Sequence, residues 1–208
     1  MILRLFKLYI GLILFGLGLA LMLEGDLGLG PWEVLHQGLS KQYAASVSVF
    51  GWEIDLSSVG MVSIFISVLV LVFWIPLRER PGFGTIMNFL VIGITIDVGM
   101  ALLPNPDLLI LKFTMMFLGP VSVALGTIIY IGARMGAGPR DGLMTGLAKR
   151  GIPVALGRTM IEVTVLICGF LLGGSVGLGT VWCAFGIGPL IQLIGRYGPF
   201  DDSVLSHK

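Results

Sequence analysis

Two short segments hold most of the residues whose types and spacing suggest chemistry. Residues 28–39 read G-L-G-P-W-E-V-L-H-Q-G-L, and residues 136–147 read G-A-G-P-R-D-G-L-M-T-G-L. Each sets a carboxylate, Glu33 or Asp141, two residues beyond a proline, Pro31 or Pro139. Each proline follows a glycine pair, Gly28 and Gly30 or Gly136 and Gly138. Proline suits the first helical position, and the helix dipole favours a carboxylate in the first turn. The pattern predicts a break followed by a short helix, about 31–42 and about 139–150. If such a helix re-enters the membrane, its free N–H groups face a central cavity and can hold an anionic or polar substrate group. The other geometry is an interfacial helix with Trp32 at the headgroups and Leu35, Leu39 and Tyr43 on one face. Arg140 offers a guanidinium that either holds an anionic substrate group or anchors the cytoplasmic side. His36 has no second His, Cys or paired carboxylate near it in sequence, so it is weak as a metal ligand.

A second set of polar residues falls inside long apolar runs: Asn88, Asp97, Arg158, Glu162 and Gln192. A charge at bilayer depth costs about 2.5–3.5 kcal/mol or more on insertion scales and usually faces a cavity or a partner. The functional reading is a polar substrate or proton pathway lined by Asp97, Glu162, Asn88 and Gln192. The plainer reading pairs Arg158 with Glu162 at i,i+4 and leaves Asp97 near an interface. No G-x-S-x-G, HExxH or P-loop pattern occurs, so no enzyme is expected. No cofactor is called for.

The elements that position these groups follow from composition. The chain has 208 residues, 56 % of them hydrophobic, with 13 Lys or Arg, 12 Asp or Glu and 31 Gly. Its mean hydropathy is +0.99. That is too little polar surface for a soluble domain, and a net charge of +1 makes no field for nucleic acid. Spans of about 20 apolar residues are read at Leu8–Leu23, Leu56–Leu77, Gly84–Leu103, Leu109–Ile131, Val154–Leu172 and Thr180–Tyr197. The glycine cluster at 173–179 separates the last two. The first run exceeds a signal-peptide core of about 7–15 residues and lacks an A-x-A site, so it is a retained helix. The cysteines, Cys168 and Cys183, read as buried apolar residues.

With the N-terminus inside, every Lys and Arg except Lys41 and Lys112 falls in the inner segments 1–7, 78–83, 133–158 and 196–208. This fits the positive-inside rule with both termini cytoplasmic. The two motifs match at an offset of 108 residues. Gly82-Phe-Gly84-Thr85 matches Gly177-Leu-Gly179-Thr180 at an offset of 95, and the difference fits a longer first loop at about 43–55. Two matches in one order argue for duplication. Each half, 1–104 and 105–208, then has three spans, and an odd number inverts the second half. The expected fold is an all-α polytopic bundle: six transmembrane helices as an inverted 3+3 repeat in one membrane domain, with two short re-entrant or interfacial helices. Many secondary transporters share that plan.

On the residues of both G-x-G-P motifs, above all Gly138-Pro139-Arg140-Asp141-Gly142-Leu143-Met144, and on Gly177-Leu178-Gly179-Thr180, the chain resembles the YczE/YyaS/YitT family over roughly residues 5–198. It lies on the YczE side. The resemblance implies a bacterial plasma-membrane protein of unassigned activity. YczE-type genes tend to accompany regulators that sense pyridoxal phosphate, so the resemblance also raises a vitamin B6-like substrate. The reading is a small-molecule permease, with a non-transporting membrane scaffold as the alternative. The scaffold would show a solid, dry core. The bilayer and a small-molecule substrate are the expected partners. A homodimer is admitted and nucleic acid is not.

Overall fold

The computed structural model describes residues 1–43, 46–49, 52–55 and 57–197. Lys208, counted above with the inner basic residues, lies outside the described residues. The element order is α1 (Ile2–Gly25), α2 (Pro31–Gln42), β1 (Ser46–Val49), β2 (Trp52–Asp55), α3 (Val59–Leu77), α4 (Phe83–Leu102), α5 (Leu109–Gly132), α6 (Pro139–Ala148), α7 (Val154–Leu171) and α8 (Leu178–Tyr197). Six of these helices are long and apolar enough to cross a membrane, because a helix alone satisfies an open chain's backbone in lipid. The architecture is a helical membrane bundle. The addition to the all-α expectation is an antiparallel hairpin, β1 on β2 with Val49 opposite Trp52. It occupies the longer first loop.

α1 and α5 form the centre of the bundle. Their crossing is built on glycine: Gly11 lies against the backbone of Gly126 and Tyr130, and Gly18 against that of Gly119 and Val123. In a bilayer, lipid tails are as apolar as the helices. Association then depends on close backbone approach and interhelical hydrogen bonds. Ser122 supplies one such bond, donating to the carbonyl of Leu14 at 2.7 Å. α4 packs on α1, and α8 on α5. Outward positions are apolar, as with Leu102, Ile110, Phe170 and Phe185. Cys168 is among the exposed residues and only Cys183 is buried. The burial expected of Cys168 fails because α7 is peripheral, with Gly157 and Gly169 as its buried residues.

The periphery is not packed equally on its two sides. α3 zips onto α4 where Gly60 meets the backbone of Gly93. The corresponding stretch of α7 lies against α2 and α6 and makes no comparable contact with α8. Gly188, which corresponds to Gly93 at the 95-residue offset, has open space beside it.

Candidate functional site

Both G-x-G-P segments adopt one backbone course. Gly28 and Gly136 have φ of 112° and 130°, values that only glycine takes without strain. Gly30 and Gly138 are extended at −64°, 159° and −63°, 157° before helices that begin at Pro31 and Pro139. Even the ends of the preceding helices match, with Asp26 and Arg134 left-handed at φ 47° and 53°.

Each break is braced by the G-x-G-T segment of the other half. Gly179 N–H donates to Leu27 O at 2.8 Å, and Gly84 N–H donates to Met135 O at 2.7 Å. The Thr180 and Thr85 hydroxyls accept from Gly177 N and Gly82 N, each at 3.1 Å. These bonds occupy groups that helix ends would otherwise leave orphaned. Thr85 also donates to Ala137 O at 2.7 Å. At α6, the Trp74 indole of α3 donates to Pro139 O at 3.0 Å and packs on Gly142. At α2, Gly169 of α7 admits the backbone of Val34 and Leu35.

The first turns of α2 and α6 meet at one cavity of about 170 Å³ between the halves. Trp32, Glu33, Val34 and His36 are all buried, so α2 is wrapped in protein. Trp32 is covered by protein and lines the cavity. Arg140 Nη1 donates to Glu33 Oε1 at 2.8 Å, and its Cζ stands 4.9 Å from the centre of the Trp32 ring, within cation–π range. The Tyr130 hydroxyl donates to Asp141 Oδ2 at 2.8 Å. Arg158 Nε donates to Glu162 Oε1 at 2.8 Å, and both residues line the same cavity.

Gly30, Pro31, Trp32, Glu33, Asn88, Gly138, Pro139, Arg140, Asp141 and Glu162 are thus brought together. Gly28 and Gly136 lie behind them, holding the breaks. Asp97, Gln192 and His36 do not line the cavity. Asp97 accepts from Ser58 Oγ and Gly60 N, each at 2.8 Å, and so holds the first turn of α3 against α4. His36 is fully buried, and neither ring nitrogen finds a partner among the described residues. Asp97→Ala is expected to cost about 1–2 kcal/mol of stability and to leave ligand binding in the cavity unchanged. Thermal denaturation of the purified variant, with and without a cavity ligand, checks both.

Sequence reasoning missed Tyr130, Ser63, Ser67, Phe15 and Phe89, all of which line the cavity. The signal for them lay in the offsets. Every lining residue of the first half has a lining counterpart in the second, 108 residues on for α1 and α2 and 95 on for α3 and α4. Met22 answers to Tyr130, Trp32 to Arg140, Ser63 to Arg158, Ser67 to Glu162 and Asn88 to Cys183. Few of these pairs keep residue type, so identity matching passes over them.

Comparison with known proteins finds relatives along most of the chain. A protein of Haemophilus influenzae named only as uncharacterized is 36 % identical over 186 residues, covering 89 % of this chain and 80 % of its own. The uncharacterized membrane protein YczE of Bacillus subtilis is 31 % identical over 88 % of this chain and 81 % of its own. YyaS of the same organism is 28 % identical over 83 % and 82 %. No solved structure matches. The profile described as a family of unknown function, DUF6198, matches residues 2–196, and the chain belongs to that family of YczE-like membrane proteins.

Proposed function

We propose that the chain is a small secondary transporter, a permease for a small metabolite, working by alternating access around the central cavity. Residues 1–104 and 105–208 are its inverted repeats. The Gly28 side faces outward, and the Gly136 side and both termini face the cytoplasm of a bacterial inner membrane. The observation that carries this reading is the pairwise lining of the cavity by residues at the two repeat offsets. A site on the pseudo-two-fold axis is contacted equally by both halves, as alternating access requires. The unequal periphery supports it too: α3 and α4 close the Gly28 side, while α7 and α8 stand apart on the Gly136 side. A non-transporting scaffold calls for a dry core and gives no reason for five Asp, Glu and Arg side chains around a cavity. The substrate is small, since sites for drug-sized ligands measure about 300–1,000 Å³. A vitamin B6-like solute is one such metabolite suggested by family resemblance.

Proteoliposomes carrying the purified chain test this, with metabolite uptake measured with and without a proton gradient. Absence of flux across a broad metabolite panel overturns it. A sharper test uses Ala155→Cys with Gly188→Cys, at the positions corresponding to Ala155's counterpart Gly60 and to Gly93. In a rocking bundle α7 must close onto α8. Oxidative cross-linking of that pair is therefore expected to form and to abolish flux, with recovery on reduction. Full flux from cross-linked protein would refute rocking.

A further inference from the structure

We propose that the cavity takes the ammonium group of a small amine, with Asp141 as its counter-charge; this rests on the permease reading and names its substrate class. The lining holds three carboxylates, Glu33, Asp141 and Glu162, against two guanidiniums, Arg140 and Arg158. Both guanidiniums are engaged, Arg140 with Glu33 and Arg158 with Glu162. Asp141 has the Tyr130 hydroxyl but no cationic partner among the described residues. A hydroxyl stabilises a carboxylate without neutralising it, so the site carries one uncompensated negative charge.

Three neutral groups point the same way. Asn88, Ser63 and Ser67 are 8 %, 3 % and 7 % exposed. They line the cavity, and their side chains have no hydrogen-bond partner among the described residues. Their polar groups open on the cavity and offer hydrogen bonds to a polar occupant there. Asn88 and Asp141 converge, since a Cβ at Gly138 would stand 3.2 Å from Asn88 Oδ1 and 3.2 Å from Asp141 Oδ2. An anion fares worse here. The first turn of each motif helix already faces its own carboxylate, and Glu33 Oε2 folds back on Gly30. The remaining wall is apolar and partly aromatic, as at Phe15 and Phe89. Such a wall suits the body of an amine and tolerates a nearby cation.

The test is calorimetric titration and thermal shift of the full chain in lipid nanodiscs at pH 7. The probes are 2-phenylethylamine, 3-phenylpropionate and 2-phenylethanol, alike in size and different in charge. The amine is expected to bind best. Asp141→Asn is expected to weaken it by about ten- to hundredfold, the range for losing a charge-assisted contact. A single folded species of Asp141→Asn, by size-exclusion profile and a cooperative melting transition, shows that the variant is intact. Asn88→Ala is expected to weaken the amine severalfold. A carboxylate that outbinds the amine, no binding by the amine at millimolar concentration, or equal amine affinity in folded Asp141→Asn overturns the proposal. Amine binding without flux would retire the permease reading and leave this one standing. Flux of an anion that depends on Arg140 and not on Asp141 would do the reverse.

Discussion

Arg140→Ala is expected to lower the stability of the folded protein by about 3 kcal/mol, the low end for breaking a buried ion pair. Glu33 has only 6 % side-chain exposure and the Arg140 guanidinium as its ion-pair partner. Removal of Arg140 leaves that carboxylate in a poorly solvated place, with Asp141 close behind it on the same cavity. Trp32 also loses the cation over its ring. The cost sits at the low end because the pair borders a cavity that water can enter. Glu33→Gln combined with Arg140→Ala is expected to recover much of the loss, since no buried charge is then stranded. Thermal denaturation of the wild type, both single variants and the double variant gives the coupling directly, expected at about 1.5–3 kcal/mol. A single-variant cost under about 1 kcal/mol would show the pair to be solvated like a surface bridge. Regained stability without regained flux would separate the pair's structural part from its part in transport.

The α1–α5 crossing carries the second large effect. A Cβ at Gly126 would lie 2.5 Å from Gly11 O, and one at Gly18 would lie 2.6 Å from Gly119 O. These neighbours are backbone atoms of the two central helices and cannot swing aside. Alanine at either position is expected to cost about 2–3 kcal/mol, and valine is expected to leave little folded protein. The contacts are reciprocal at the 108-residue offset, Gly11 with Gly126 and Gly119 with Gly18. Substitutions at Gly11 and Gly119 are therefore expected to match in severity. Gly188→Ala, where the added methyl meets open space, is expected to change stability by no more than about 0.5 kcal/mol. Folded yield and melting temperature across the set check the ranking. Equal tolerance at Gly126 and Gly188 would contradict the crossing.

The spans were legible because lipid imposes length and apolarity on every crossing segment, so the observed helix ends lie close to those expected. α1 starts earlier than its apolar run because Arg4 and Lys7 near a helix end can extend toward water. The two motif helices were legible from Gly and Pro, whose backbone limits are local. Whether they reached inward was not, since that depends on what covers Trp32 and Glu33. The covering groups come from the far half, where Arg140 closes on both. Asp97 shows the opposite case. A carboxylate in an apolar run says only that something must satisfy it. Here the satisfying groups, Ser58 and Gly60, belong to the start of the preceding helix, α3, rather than to the cavity. The hydroxyls of Ser63 and Ser67 gave no signal alone, because serine is common at helix contacts.

The crossed bracing of the two breaks bears on how the protein is made. Gly28 settles against Gly177, roughly 150 residues later in a chain that emerges at about 5–20 residues per second. For about 7–30 s at that pace, the first break and α2 exist without the segment that satisfies Leu27 O. The second break has no such delay, because Gly84 and Thr85 are in place before Met135 and Ala137 arrive. Biogenesis is thus lopsided even where the finished halves correspond. The vulnerable period belongs to α2, and its wait ends only when the start of α8 enters the bilayer.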